Sequence, residues 1–284
     1  MSLATTTKML QDAQSGHYAV GAFNVENMEM AMAVIEAAEE LNAPVIIQTT
    51  PSTVKFAGLN LYLANVRALA ESTSIPVAMH LDHGSSFALA MQAMRTGYTS
   101  VMIDGSHEDF ENNIAVTKAV ADACAPVGVP VEAELGKVGG KEDDLDGGDD
   151  EPYTNPQQAK EFVERTGITS LAVAIGTAHG FYKGKPKLDQ ERLSQIRQLV
   201  TIPLVLHGAS GVPDDAVREA ISRGICKVNY ATELRVAYSN GVKEVLKNNP
   251  ETIDPKKYGT VGKEYVKQFV MARIKNCGCA GRAL

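Results

Sequence analysis

Eight short, β-branched or apolar runs recur along the chain, each followed by a longer segment with helical spacing, and this rhythm limits the folds open to it. The runs fall at 19–24, 44–49, 77–81, 100–103, 130–134, 170–175, 203–206 and 225–229. Most are near-continuously apolar rather than alternating, as expected of strands covered on both faces. Amphipathic stretches follow at 28–41, 59–71, 86–96, 110–124, 156–166, 189–199, 213–223 and 232–247. Several open on start signals such as Asn155-Pro156, and several stop at Gly97, Gly167 or Gly224. Strand then helix, eight times in about 230 residues, predicts an α/β fold, the closed (β/α)8 TIM barrel, for which roughly 250 residues is typical. A doubly wound open sheet is the alternative.

All 284 residues are expected to form one domain. Two segments stand outside the rhythm. The stretch 136–153 holds five glycines and seven acidic residues, too long and polar for an ordinary βα loop, so it reads as a lid or a disordered insertion. The tail, 250–284, looks helical over 258–275 and is expected to pack outside the barrel or on a partner. With 27 Lys plus Arg against 34 Asp plus Glu, the chain is acidic, which argues against nucleic acid or an anionic membrane as partner. No apolar run approaches the roughly 20 residues that span a bilayer. Four cysteines are too few for a disulfide framework and no signal-peptide pattern opens the sequence, so a reducing cytoplasm is expected. Cys277 and Cys279 are expected to be solvent-exposed or to contact a partner.

In such a barrel the active site lies at the carboxyl ends of the strands. Those ends are polar here: Asn24, Gln48, Thr49, Asp82, His83, Asp104, Glu132, Glu134, His179, His207 and Asn229. The opposite ends begin with residues such as Pro44, Pro76, Pro130 and Pro203, which offer no chemistry. His83, His179 and His207 follow strands three, six and seven, and three neutral imidazoles with an open fourth position are a catalytic zinc arrangement. His80 reads as a barrel-interior residue and His17 as a surface one. His107 is a candidate pocket residue without ligand spacing. Asp82, adjacent to His83 on an extended segment, points away from it, outside the metal's ligand set but within reach of substrate, as an acid/base. Asp104 and Glu134 could orient ligands, offer an alternative metal position or be buried structural acids. Gly176, Gly180, Gly208 and Gly211, with Asn229 before a helix at Thr232, suggest backbone N–H groups arranged for a phosphate.

Six segments then carry a resemblance: Val20-Gly21-Ala22-Phe23-Asn24, His80-Leu81-Asp82-His83-Gly84, Val101-Met102-Ile103-Asp104-Gly105-Ser106, Val131-Glu132-Ala133-Glu134-Leu135-Gly136, Gly139-Gly140-Lys141-Glu142-Asp143 and Leu206-His207-Gly208-Ala209-Ser210-Gly211. In order and over nearly the whole chain, the sequence resembles class II, zinc-dependent ketose-bisphosphate aldolases. The resemblance implies reversible cleavage of a ketohexose 1,6-bisphosphate to dihydroxyacetone phosphate and glyceraldehyde 3-phosphate through an enediolate. It implies that His83, His179 and His207 bind zinc, with Asp104 and Glu134 as alternative ligands. Asp82 then exchanges the C4-hydroxyl proton, and Glu142 transfers the proton at the enediolate carbon. Asn24 contacts substrate, and Gly180, Gly208, Ala209, Ser210, Asn229, Tyr230, Ala231 and Thr232 line the dihydroxyacetone phosphate site. A monovalent cation, Na+ or K+, near the phosphate, a homodimer or homotetramer, and for some tagatose-type relatives a companion subunit are implied as well.

Two departures bear on the distal phosphate. Asp254-Pro255-Lys256 stands where an arginine is common at the last position, and Cys279 stands where serine is usual. Thr177-Ala178-His179-Gly180 and Ala231-Thr232-Glu233-Leu234 resemble the tagatose branch, whereas Ser210-Gly211-Val212-Pro213 leans toward the fructose branch; the balance favours tagatose slightly. Rival readings are a Schiff-base aldolase using Lys227 or Lys137, metal-assisted phosphoester hydrolysis, a metal-dependent aldolase on another phosphorylated sugar, and a noncatalytic phosphosugar-binding subunit.

Overall fold

A computed structural model describes residues 3–142, 145–146, 153–182, 184 and 186–283, with backbone alone for 141–142 and 145–146. Eight parallel strands close into a barrel: β1 (Val20–Asn24), β2 (Val45–Thr49), β3 (Val77–Gly84), β4 (Ser100–Ile103), β5 (Val131–Leu135), β6 (Ser170–Val173), β7 (Leu204–Leu206) and β8 (Ile225–Tyr230). The neighbour order is sequential, and β8 pairs with β1 through Val20↔Lys227 to Phe23↔Tyr230. Every residue of these strands is buried, because the interior fills with side chains and helices cover the outside. The expected eight strands are therefore all present, as is the helix after each.

Local chemistry explains the helix starts. Asn27, Ser86, Asp109, Asn155 and Asp189 each accept a backbone N–H of the first turn, satisfying donors that a helix leaves open. Gly97 and Gly167 close two helices in left-handed conformation. The sequence reading has no counterpart for the helix Thr6–Gly16, which lies under the amino ends of the strands, with Ala4 N–H bonded to the Val77 carbonyl. The tail forms a helix, Pro255–Cys277, packed on the helices Thr232–Asn248 and Met28–Glu40. Gly241 and Gly262 permit that close crossing, since a Cβ on Gly241 would come within 2.7 Å of the Gly262 Cα.

This packing corrects one expectation. Cys277 and Cys279 are 1% and 0% exposed, not on the surface, and burial pushes the Cys279 thiol up to about 11. Both are held as small core residues where the tail meets β1 and β8. All four cysteines are buried, free thiols. Among the described residues no helix is long and apolar enough to cross a membrane.

The segment 136–153 carries secondary structure where it is described. Strand Gly139–Glu142 pairs antiparallel with Leu145–Asp146 and parallel with Ala178–His179. The Glu142 side chain lies outside the described residues, as do 143–144 and 147–152.

Candidate active site

The carboxyl ends of β3, β6 and β7 deliver His83, His179 and His207 to one place. Ring centroids are 5.0 Å apart for His83 and His179, 4.8 Å for His83 and His207, and 6.1 Å for His179 and His207. One nitrogen from each lies within 4.8 Å of the others, and His83, Asp104 and Glu134 form a second group of that size. Three borderline nitrogen donors converging at this spacing suit a divalent transition metal such as zinc.

β3 achieves this by departing from regular geometry. Its register against β4 shifts between Leu81 and Gly84, and His83 adopts φ 46°, a left-handed conformation that is costly for a non-glycine residue. Gly84 is obligatory there, because a Cβ would sit 2.2 Å from the Met102 carbonyl oxygen. The bulge sends His83 toward the other two rings and leaves Asp82 with different partners, so the two side chains diverge as expected. Neither metal-sized group includes Asp82.

Carboxylates stand behind the imidazoles. Asp104 Oδ2 is 2.7 Å from His83 Nδ1. Burial would raise the Asp104 carboxyl, but the His83 bond and charge outweigh it and hold the group well below the usual range. His207 is gripped at both nitrogens, by Glu134 at 2.8 Å and Glu132 at 3.0 Å. Burial alone would disfavour the imidazolium, yet those two bonds push this ring up to about 9. Asp104 and Glu134 are thus both ligand-orienting and within metal-binding distance, two of the three roles left open by sequence.

Asp82, 1% exposed, is held from both sides by amides: Asn24 Nδ2 donates to one oxygen at 2.8 Å and Asn229 Nδ2 to the other at 3.1 Å. Gln48 Nε2 donates in turn to Asn24 Oδ1 at 2.7 Å, fixing the Asn24 amide. A carboxylate placed so firmly at the barrel mouth is suited to exchange a proton with a bound hydroxyl.

A small cavity beside the metal group is lined by His179, Gly180, Gly208, Ser210, Asn229, Ala231 and Thr232. Gly180, Gly208 and Gly211 have φ of 80°, 63° and 86°, and the helix Thr232–Asn248 begins at the cavity wall. A cavity lined by glycine-rich turns and the start of a helix is chemistry that favours an anion. Two expected lining residues are not part of it by side chain. The Tyr230 ring stacks on Phe23 at 5.7 Å and meets Phe269 at 6.0 Å, on the outer face of β8, and Ala209 is in the core. Alternation along β8 explains this: Asn229 faces inward, so its neighbour faces out.

Three contributors hold places that the sequence does not reveal. Glu132 was visible only as a strand-end acid. Lys227, 0% exposed, bonds Glu132 at 3.0 and 2.9 Å, so this rival Schiff-base lysine is committed to an ion pair inside the barrel. Tyr182, next to a Gly-rich turn, gave no signal beyond its aromatic ring; its hydroxyl accepts from Ala178 N–H and donates to the Gly208 carbonyl, both at 2.7 Å. His80 is interior as expected, 2.8 Å from Ser100 Oγ, while His17 and His107 are exposed, and His107 is not among the residues lining the cavity.

Comparison with known proteins gives the same direction. Residues 4–282 match the family model described as fructose-bisphosphate aldolase class-II. The YdjI aldolase from Escherichia coli K12 superposes with a TM-score of 0.88 at 40% identity, over 99% of this chain and 100% of that one. Fructose-bisphosphate aldolase from Campylobacter jejuni superposes with a TM-score of 0.83 at 26% identity, over 98% and 96% of the two chains.

Proposed function

This chain belongs to the class II fructose-bisphosphate aldolase family, and from that premise and the site geometry we propose that it reversibly cleaves a ketohexose 1,6-bisphosphate to dihydroxyacetone phosphate and glyceraldehyde 3-phosphate. The observation that carries the reading is the convergence of His83, His179 and His207 beside an anion cavity, with Asp82 held between Asn24 and Asn229. The three histidines would hold zinc, which supplies Lewis-acid polarisation of the substrate ketone.

The chain's own groups account for the rest. The amides around Gly180, Gly208 and Ser210 and the helix end at Thr232 bind the phosphate of the dihydroxyacetone half. Asp82 removes the C4-hydroxyl proton as the C3–C4 bond breaks, and the electron pair of that bond stays on the dihydroxyacetone half. Glu142 returns a proton to that carbon, so one proton leaves at oxygen and one arrives at carbon. The Thr177–Gly180 and Ala231–Leu234 motifs, against the opposite lean of Ser210–Pro213, tip the preference slightly to the tagatose epimer at C4. A monovalent cation beside the phosphate, a homodimer or homotetramer and a cytoplasmic location complete the reading. A coupled assay of the purified protein on tagatose and fructose 1,6-bisphosphates, before chelation, after it and after zinc is restored, tests it. Turnover of neither sugar by the zinc-loaded protein sinks the proposal, and full activity after chelation sinks the metal assignment.

A further inference from the structure

Three backbone segments at the mouth touch at separations that only glycine permits. Gly140, φ 77°, lies against His179, where a Cβ would come within 2.2 Å of the His179 carbonyl oxygen. Gly208, φ 63°, lies against Ala178, where a Cβ would come within 2.7 Å of the Ala178 carbonyl oxygen. The strand Ala178–His179 is therefore sandwiched between the Gly139–Glu142 strand, with which it pairs, and the turn that follows His207. Such contacts transmit displacement directly, because no side chain intervenes to absorb it.

One side chain fastens this stack. The half-buried Tyr182 hydroxyl takes the Ala178 N–H and gives its own proton to the Gly208 carbonyl, each at 2.7 Å, while its ring covers Gly211, 3.3 Å from a Cβ placed there. Ala178 precedes His179 and Gly208 follows His207. A single phenol thus joins the loops of two imidazoles and the wall of the anion cavity. Through Ala178 it also joins the strand on which residue 142 is carried.

We propose that Tyr182 is a positioning residue: its hydroxyl makes the phosphate cradle and the Gly139–Glu142 strand move as one, so that an anion in the cradle orders the strand. The inference rests on the phosphate site assigned above. It assigns to Tyr182 no contact with substrate, only the coupling of two backbone segments that do meet it. Removing the hydroxyl leaves one N–H and one carbonyl without their partner and lets the segments shift independently.

Hydrogen–deuterium exchange with inorganic phosphate as probe tests this. Phosphate occupies the cradle alone, so any effect on residues 136–142 must travel through the protein. In the unaltered enzyme, phosphate is expected to slow exchange several-fold in peptides covering both 207–212 and 136–142. In Tyr182→Phe, which keeps the ring over Gly211, the first effect persists at about tenfold higher phosphate and the second disappears. Protection of 136–142 that survives in Tyr182→Phe at saturating phosphate overturns the proposal, as does protection confined to 207–212 in the unaltered enzyme. Absence of protection at both segments in the unaltered enzyme overturns the cradle itself, and this coupling with it.

Discussion

Lys227 Nζ lies 2.9 Å from Glu132 Oε2 in the interior of the barrel, with both side chains shut off from solvent. Glu132 also accepts from His207 Nε2 at 3.0 Å, so the lysine holds the carboxylate that holds a candidate metal ligand. Beneath them His80 is 4.0 Å from Glu132, and burial together with Lys227 keeps that ring well below its ordinary value and so neutral.

Lys227→Met is expected to be strongly destabilising, by about 3–5 kcal/mol, because it strands a buried carboxylate without its cation. Urea unfolding measures this. The acid limb carries a second signature. Burial raises the Glu132 carboxyl, but Lys227 and His207 outweigh it and hold it well below the usual range. A carboxyl depressed in the fold contributes stability that is present above its unfolded value of about 4.3 and is lost as pH falls below it. The unaltered protein should therefore lose stability steeply below about pH 4, and Glu132→Gln should flatten that slope.

Asp82→Asn should lower the rate of cleavage by about 10²–10⁴-fold, the range expected for loss of a positioned acid/base. It should leave exchange of the dihydroxyacetone phosphate proton with solvent deuterium largely intact. Glu142→Gln should do the reverse to that exchange. Mass spectrometry of recovered dihydroxyacetone phosphate separates the two, and loss of exchange in both variants would show that the two protons are not divided between these residues.

Asp104→Ala should weaken zinc affinity by about 10–100-fold without abolishing it, since Asp104 orients His83 from behind at 2.7 Å. Competition with a chelating dye reads the affinity directly. His179→Ala removes a ligand, so its loss should be larger. Equal losses in the two would place Asp104 among the primary ligands, with the His83–Asp104–Glu134 group as the occupied one.

The barrel was legible because strands covered on both faces and helices covered on one write different apolar periods into sequence. The three histidines were legible because each ends a strand, and a closed barrel brings strand ends together whatever their separation along the chain. The ion pair of Lys227 was not legible, since a lysine in an apolar run looks the same whether it reaches solvent, waits for a ketone or pairs with an acid on a distant strand. Tyr182 was hidden for a related reason: its role is to bond backbone groups, whose positions depend on two loops meeting. The thiols of Cys277 and Cys279 misled because a chain terminus is usually exposed, whereas here the final helix docks on β1 and β8.

Gly208→Ala tests the anion cradle through backbone geometry rather than charge. At φ 63° an L-residue is strained, and the added methyl would come within 2.7 Å of the Ala178 carbonyl oxygen, a backbone atom that cannot rotate aside. The turn must open, carrying Gly208 and Ser210, with the amides assigned to the anion, away from the cavity these residues line with Thr232. Because those amides are assigned to phosphate, the Michaelis constant for a sugar bisphosphate and the affinity for inorganic phosphate should weaken together, by about tenfold or more for each hydrogen bond of about 1.5–3 kcal/mol to a charged group. Zinc affinity serves as the control, since His207 itself is held at its two nitrogens by Glu134 and Glu132 inside the barrel. A variant that binds phosphate normally yet loses zinc would show that the methyl acts on the imidazole cluster, and the cavity would no longer be assigned to the anion.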